Sequence, residues 1–92
     1  MLDRQSLAFY VSPMTYDETL DAIGLLCPLP VLKARKRLKS MQNGQVLRLE
    51  ATDPAAVIDV PHFCAEQGHE FLGEAPAKLG DQDVTHYFIR KG

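Results

Sequence analysis

Residues 19–41, TLDAIGLLCPLPVLKARKRLKSM, decide the fold of this chain. Polar and apolar residues alternate from Thr19 to Ala22, which is typical of a short strand, and Gly24 opens the loop that follows. Beyond the loop, apolar residues recur at helical spacing, so residues 28–41 are predicted to form the first helix. The apolar stripe of this helix consists of Val31, Ala34, Leu38 and Met41.

The tetrapeptide Cys27-Pro28-Leu29-Pro30 lies where this loop meets the helix. Proline is favoured at the first helical position, so the pattern predicts Cys27 as the N-cap, Pro28 as the first helical residue and Pro30 as the third. Gly24 and the two prolines would then fix the start of the helix. The positive end of the helix dipole favours a thiolate at the cap, although neither proline offers an N–H. We interpret Cys27 as a reactive thiol, the alternative being a small packing residue.

The rest of the chain predicts one more helix and three more strands. Residues 45–51 alternate as a strand, and Asp53-Pro54 starts a second helix that ends near Gly68. Pro61 interrupts this helix, which predicts a kink or a restart capped by Asp59. Two strands follow, at residues 70–75 and 84–90, with a turn at residues 79–83.

The predicted fold is therefore α+β, with the order β-α-β-α-β-β. Two helices packed on one face of a four-stranded mixed sheet make a two-layer α/β sandwich. Leu47, Leu49 and Ala51 would face the helices, while Arg48 and Glu50 would lie on a face open to water.

Length and composition limit the class of protein. A chain of 92 residues with a net charge of −2 fits one small domain. No apolar run is long enough to cross a membrane, and we find no secretion signal, so the expected location is the cytoplasm. Residues 1–16 show no helix or strand period and are interpreted as an extension, docked in part through Phe9, Tyr10 and Tyr16. The domain would span residues 17–92.

The remaining reactive residues suggest no second centre. Cys64 lies on the apolar stripe of the second helix and is predicted to be a core residue, and a disulfide with Cys27 is disfavoured in a reducing compartment. His62, Cys64 and His69 do not complete a zinc site, and no cofactor motif is present. One thiol without an obvious base favours a group carrier over a stand-alone catalyst.

Half of the ten basic residues lie on the first helix. They are Lys33, Arg35, Lys36, Arg37 and Lys39. This run is either a solvated helix face or a docking surface for an acidic partner protein. Leu32 is predicted to face outward among these charges, and with Leu29 it would form a small apolar contact inside a basic rim.

Two separated blocks of sequence resemble the TusA (SirA-like) sulfur-carrier family. The first block is residues 20–30, with the Cys-Pro-x-Pro motif, and the second comprises residues 53–55, 59–64 and 68–70, followed by a similar carboxy-terminal end at residues 87–92. The resemblance covers residues 19–92. It implies a two-layer α/β sandwich in which Cys27 accepts sulfane sulfur as a persulfide and passes it to another protein. It also implies that Arg35 faces a cysteine desulfurase and that Asp53 lies near the site.

The partners implied by this resemblance are a cysteine desulfurase or another sulfur donor and a downstream acceptor protein. Stable nucleic-acid binding and membrane insertion are not expected. Family members serve 2-thiolation of the tRNA wobble uridine, sulfur oxidation, molybdenum-cofactor assembly or thiosulfate use, and the sequence does not choose among these pathways. Two alternatives stay open: a thiol redox protein, which needs Cys27 and Cys64 within disulfide reach, and an RNA-binding module.

Overall fold

The structure is a computed structural model that describes residues 15–92. Its elements follow the predicted order β-α-β-α-β-β. They are β1 (Glu18–Ala22), α1 (Leu29–Lys39), β2 (Val46–Ala51), α2 (Ala56–Gln67), β3 (Glu70–Leu79) and β4 (Gln82–Arg90). The four strands form one sheet in the order β1-β2-β4-β3. Strands β1 and β2 are parallel and the other two pairs are antiparallel, which confirms the predicted mixed sheet.

The hydrophobic core lies between one face of the sheet and the two helices. Leu47 and Leu49 of β2 are fully buried there, together with Leu38 of α1, Val60 of α2 and Ile89 of β4. Burying a side chain of this size stabilises a fold by about 1.5 to 3 kcal/mol. The alternation seen in the sequence of β2 thus selects the face that carries both helices.

The opposite face of the sheet differs from the expectation of a face open to water. Val46, Val84 and Phe88 point away from the helical core, yet they are 8%, 4% and 2% exposed. Tyr16, just before β1, packs its ring at 6.5 Å from the ring of Phe88, and the Arg48 guanidinium lies 4.2 Å from the centre of the Tyr16 ring. Aromatic packing therefore covers part of this face.

Two prolines are accommodated without ending their elements. Helix α2 continues through Pro61, and the Asp59 N–H donates to the Ala55 carbonyl, so the predicted restart at Asp59 is wrong. Strand β3 extends beyond residue 75 through Pro76 to Leu79. Pro76 is tolerated because β3 is an edge strand, where a missing N–H costs least. The predicted turn is correspondingly shorter, with only residues 80 and 81 between the strands.

The predicted docking of Phe9 and Tyr10 lies outside the described residues. Within residues 15–92, no helix has the length and apolar character needed to cross a membrane.

Candidate functional site around Cys27

The site forms where two loops meet at the carboxyl ends of the parallel strands β1 and β2. The Gly24 N–H after β1 donates to the Thr52 hydroxyl after β2 at 3.0 Å. The Cys27 N–H donates to Asp53 Oδ2 at 2.6 Å. These two bonds tie the Cys27 loop to the start of α2, and Cys27 itself stays exposed.

The start of α1 lies slightly later than the sequence predicts. Pro28, not Cys27, is the N-cap, and Pro30 is the second helical residue rather than the third. The reason is a turn before the helix, closed by the Leu29 N–H donating to the Leu26 carbonyl at 2.8 Å. Cys27 therefore sits in a turn that precedes the helix cap. Its peptide bond to Pro28 is cis.

The Cys27 thiol lies beside two carboxyl groups. Interaction with the Asp59 carboxylate raises the pKa of the Cys27 thiol above its ordinary value, and desolvation and the negative charge of Asp53 act in the same direction. The net shift in the pKa of Cys27 is therefore opposite in direction to the one expected from the helix dipole alone. Neighbouring negative charge disfavours a second negative charge on sulfur.

Asp53 connects the thiol loop with α2. Its Oδ2 binds the Cys27 N–H, and its Oδ1 accepts the Ala55 N–H at 3.2 Å in an Asx turn that precedes the helix. The resemblance placed Asp53 near the site, and the structure locates it at the backbone of Cys27. Partner binding by Asp53 stays a prediction.

Asp59 is the site residue that sequence reasoning missed. It was assigned to a helix restart, whereas it lies in the first turn of a helix that begins at Ala56. The sequence holds no signal for this contact, because it depends on how the loop after β1 and the start of α2 converge in space.

The basic residues of α1 divide into two groups. The Lys33 ammonium donates to the Asp21 carbonyl at 2.6 Å, and Arg37 contacts Glu18 at 3.2 Å and the Thr19 carbonyl at 3.4 Å. Both side chains therefore cover the free edge of β1, a structural role for Lys33 that was not predicted.

The second group comprises Arg35, Lys36 and Lys39, which are exposed. Lys36 also lines a cleft of about 410 Å³ between α1 and β1, together with Leu20, Lys33, Arg37 and Ser40. These three cations stay available to a partner protein. The engagement of Lys33 and Arg37 reduces the charge that α1 could offer to the phosphates of RNA.

Exposed apolar side chains surround the cysteine turn. Leu29 and Leu32 are 49% and 50% exposed, which confirms the outward direction predicted for Leu32. Leu26 is 66% exposed in the same turn, and Ile58 in the first turn of α2 is 72% exposed. Sequence reasoning missed Leu26 and Ile58, because neither belongs to a periodic stripe that reveals its direction.

The second cysteine has a different environment. Cys64 is 1% exposed within the core, as predicted, and burial raises the pKa of its thiol to about 11. Both cysteines are free. A redox pair would require Cys64 to be accessible beside Cys27, so its burial argues against the thiol redox alternative. Among residues 15–92, no three His, Cys, Asp or Glu side chains are grouped to hold a metal ion.

Two comparisons with known proteins bear on this site. The family model described as sulfurtransferase TusA matches residues 18–91, which include both strands and both loops that build the site. The fold is similar to the crystal structure of the SirA-like protein from Desulfitobacterium hafniense, with a TM-score of 0.59 and 19% sequence identity. That match covers 79% of this chain and 96% of the other, and it supports the fold alone.

Proposed function

Because this chain belongs to the sulfurtransferase TusA family, we propose that Cys27 carries sulfane sulfur as a persulfide from a donor protein to an acceptor protein. The observation that carries the proposal is the placement of the two thiols. Cys27 is exposed in a turn held by Thr52 and Asp53, while Cys64 is buried in the core.

The reaction fits a single accessible thiol. In loading, the Cys27 thiolate attacks the outer sulfur of a donor persulfide, the donor S–S bond breaks, and the donor cysteine leaves as a thiolate. In unloading, an acceptor thiolate attacks the outer sulfur on Cys27, and Cys27 leaves as a thiolate. Each step moves one sulfur atom and needs no external oxidant or reductant. The chain acts as a carrier in both steps rather than as a stand-alone catalyst.

The proposed donor is a cysteine desulfurase or another persulfide-bearing protein, and the proposed acceptor is a second protein in the same relay. Thiolation of the tRNA wobble uridine is one destination for the sulfur, and sulfur oxidation, molybdenum-cofactor assembly and thiosulfate use are others. Direct, stable binding of nucleic acid is not part of the proposal. The proposed location is the cytoplasm, where cysteines stay reduced.

The proposed partner surface lies on α1 and in the turn before it. Arg35 and Lys36 offer exposed positive charge, and Leu29 and Leu32 offer exposed apolar area next to Cys27. An apolar contact with a charged rim is the usual composition of a protein interface. Lys33 offers less free charge to this surface, because its ammonium donates to the Asp21 carbonyl.

Sulfur loading is tested by incubating the protein with a cysteine desulfurase and cysteine and then reading the intact mass. The wild type is expected to gain one sulfur atom, which a reductant removes. Cys27→Ser should gain none, while Cys64→Ala, the matched control, should load as the wild type does. Equal sulfur gain by Cys27→Ser and the wild type would show that Cys27 is not the carrier residue.

A further inference from the structure

The environment of Cys27 is unfavourable to the form of the thiol that sulfur transfer needs. The nucleophile in thiol exchange is the thiolate. Among the described residues, the charged groups placed beside the thiol are the carboxylates of Asp59 on α2 and Asp53 in the loop before it. The nearest cation in the sequence, Lys33 on α1, is bound to the Asp21 carbonyl.

The backbone around the thiol offers little compensation. Pro28 and Pro30 have no N–H. The Leu29 N–H is donated to the Leu26 carbonyl at 2.8 Å, and the Cys27 N–H is donated to Asp53 at 2.6 Å. Neither of the first two helical residues, Leu29 and Pro30, therefore has a free N–H for a thiolate at this helix start.

We propose that Cys27 is a latent nucleophile, activated when a partner protein places a cationic or N–H-donating group against Asp53 and Asp59. This inference rests on the proposed carrier function and names the chemistry of the partner. The partner's own sulfur-bearing cysteine would lie beside a lysine, an arginine or a helix start. Contact with that group offsets the negative charge of the two carboxylates, and the thiol proton passes to solvent as the thiolate forms.

The exposed apolar side chains set the direction from which such a partner approaches. Leu26 and Leu29 flank Cys27 in the turn, and Ile58 precedes Asp59 on α2. A partner that covers these side chains excludes water from the turn, which strengthens the interaction between its cation and the two carboxylates. Charge complementarity would therefore place a basic, partly apolar surface of the partner over the first turn of α2.

The first test measures the reactivity of the free protein. Cys27 is alkylated with iodoacetamide near neutral pH, and the rate is followed by peptide mass. Asp59→Asn should raise this rate several-fold, since it removes the charge at nearly constant shape, and Asp53→Asn should raise it less. The control Asp81→Asn, in the exposed turn between β3 and β4, should leave the rate unchanged. A wild-type rate in Asp59→Asn would overturn the proposal.

The second test compares two sulfur donors. Sulfur acceptance is measured from a small-molecule persulfide and from a persulfidated cysteine desulfurase. Asp59→Asn should speed acceptance from the small molecule several-fold and should not speed acceptance from the protein, which already supplies the activating group. Equal acceleration with both donors would refute activation by the partner. Failure of the wild type to accept sulfur from either donor would instead reject the carrier function, leaving the alkylation result to decide the role of Asp59.

Discussion

Replacing Asp53 with alanine should loosen the turn that presents Cys27. The Asp53 carboxylate accepts two backbone N–H groups, from Cys27 at 2.6 Å and from Ala55 at 3.2 Å. One bond holds the thiol loop and the other precedes α2. Alanine removes both acceptors, so the bond from the Gly24 N–H to the Thr52 hydroxyl has to hold the loop after β1 against the loop after β2 without help from Asp53.

The size of the effect follows from the surroundings of the two bonds. A side-chain hydrogen bond contributes about 1 kcal/mol net to stability, and this applies to the part-buried Ala55 bond. The Cys27 bond is exposed, so water replaces the lost acceptor and the cost falls to about 0.5 kcal/mol, below the range for buried charged bonds. The expected total is about 1.5 kcal/mol, which lowers the melting temperature of a domain this size by about 6 to 12 °C.

Urea denaturation followed by circular dichroism measures this loss. Asp53→Asn keeps one acceptor oxygen and should lose about half as much stability, while Asp81→Ala, on the β3–β4 turn, should stay within about 0.5 kcal/mol of the wild type. Hydrogen exchange at the Cys27 amide should accelerate in Asp53→Ala beyond any global change. A stability of Asp53→Ala equal to that of Asp81→Ala would refute the proposed anchoring role.

Two further predictions concern the partner surface and the response to pH. Leu32→Glu should slow sulfur acceptance from a desulfurase without changing the free energy of unfolding. The control Leu79→Glu, on the β3–β4 hairpin, should change neither quantity, since Leu79 is 59% exposed against 50% for Leu32, and equal transfer rates for both variants would contradict the role of Leu32. Burial and the charge of Lys91 lower the pKa of His69 below its ordinary 6.5. Below about pH 6.5 the unfolded chain therefore binds a proton at His69 more readily than the folded chain does, so the stability that His69 contributes above this pH is lost as the pH falls. We expect the urea midpoint to decline less between about pH 7.5 and about pH 5.5 in His69→Gln than in the wild type. The control His62→Gln, at an exposed site, should leave the decline unchanged. An unchanged decline in His69→Gln would exclude His69 as its source.

The sequence predicts most of the fold because periodicity directly reports which residues face the core. The alternation through Leu47 and Leu49 identifies the buried face of β2, and the stripe through Ala34 and Leu38 identifies that of α1. Prolines were harder to interpret. Their cost depends on where an element lies in the sheet, and the edge position of β3 follows from strand order, which local patterns do not contain.

From the residues alone, the candidate site was predictable only where its members are neighbours in the sequence, and Asp53 was placed near it by the family resemblance. Cys27 was identified from its own turn, and Leu32 from the helical period. The contact with Asp59 depends on how two loops converge in space, and the bond between Lys33 and the Asp21 carbonyl depends on the path of the edge strand. Neither contact leaves a pattern along the chain. The sequence therefore does not indicate the role of Asp59, and it predicts only partner binding for Lys33.

A carrier thiol has to be exposed to reach its partners and yet unreactive between them, and Cys27 combines exposure with an unfavourable charge environment. An exposed thiolate would react with any electrophile between one protein partner and the next. An exposed thiol whose pKa is raised by Asp59 stays within reach of a partner's cysteine but reacts slowly without that partner. Selectivity would then come from the partner's charge rather than from burial, which suits a side chain that must enter the active sites of two different proteins.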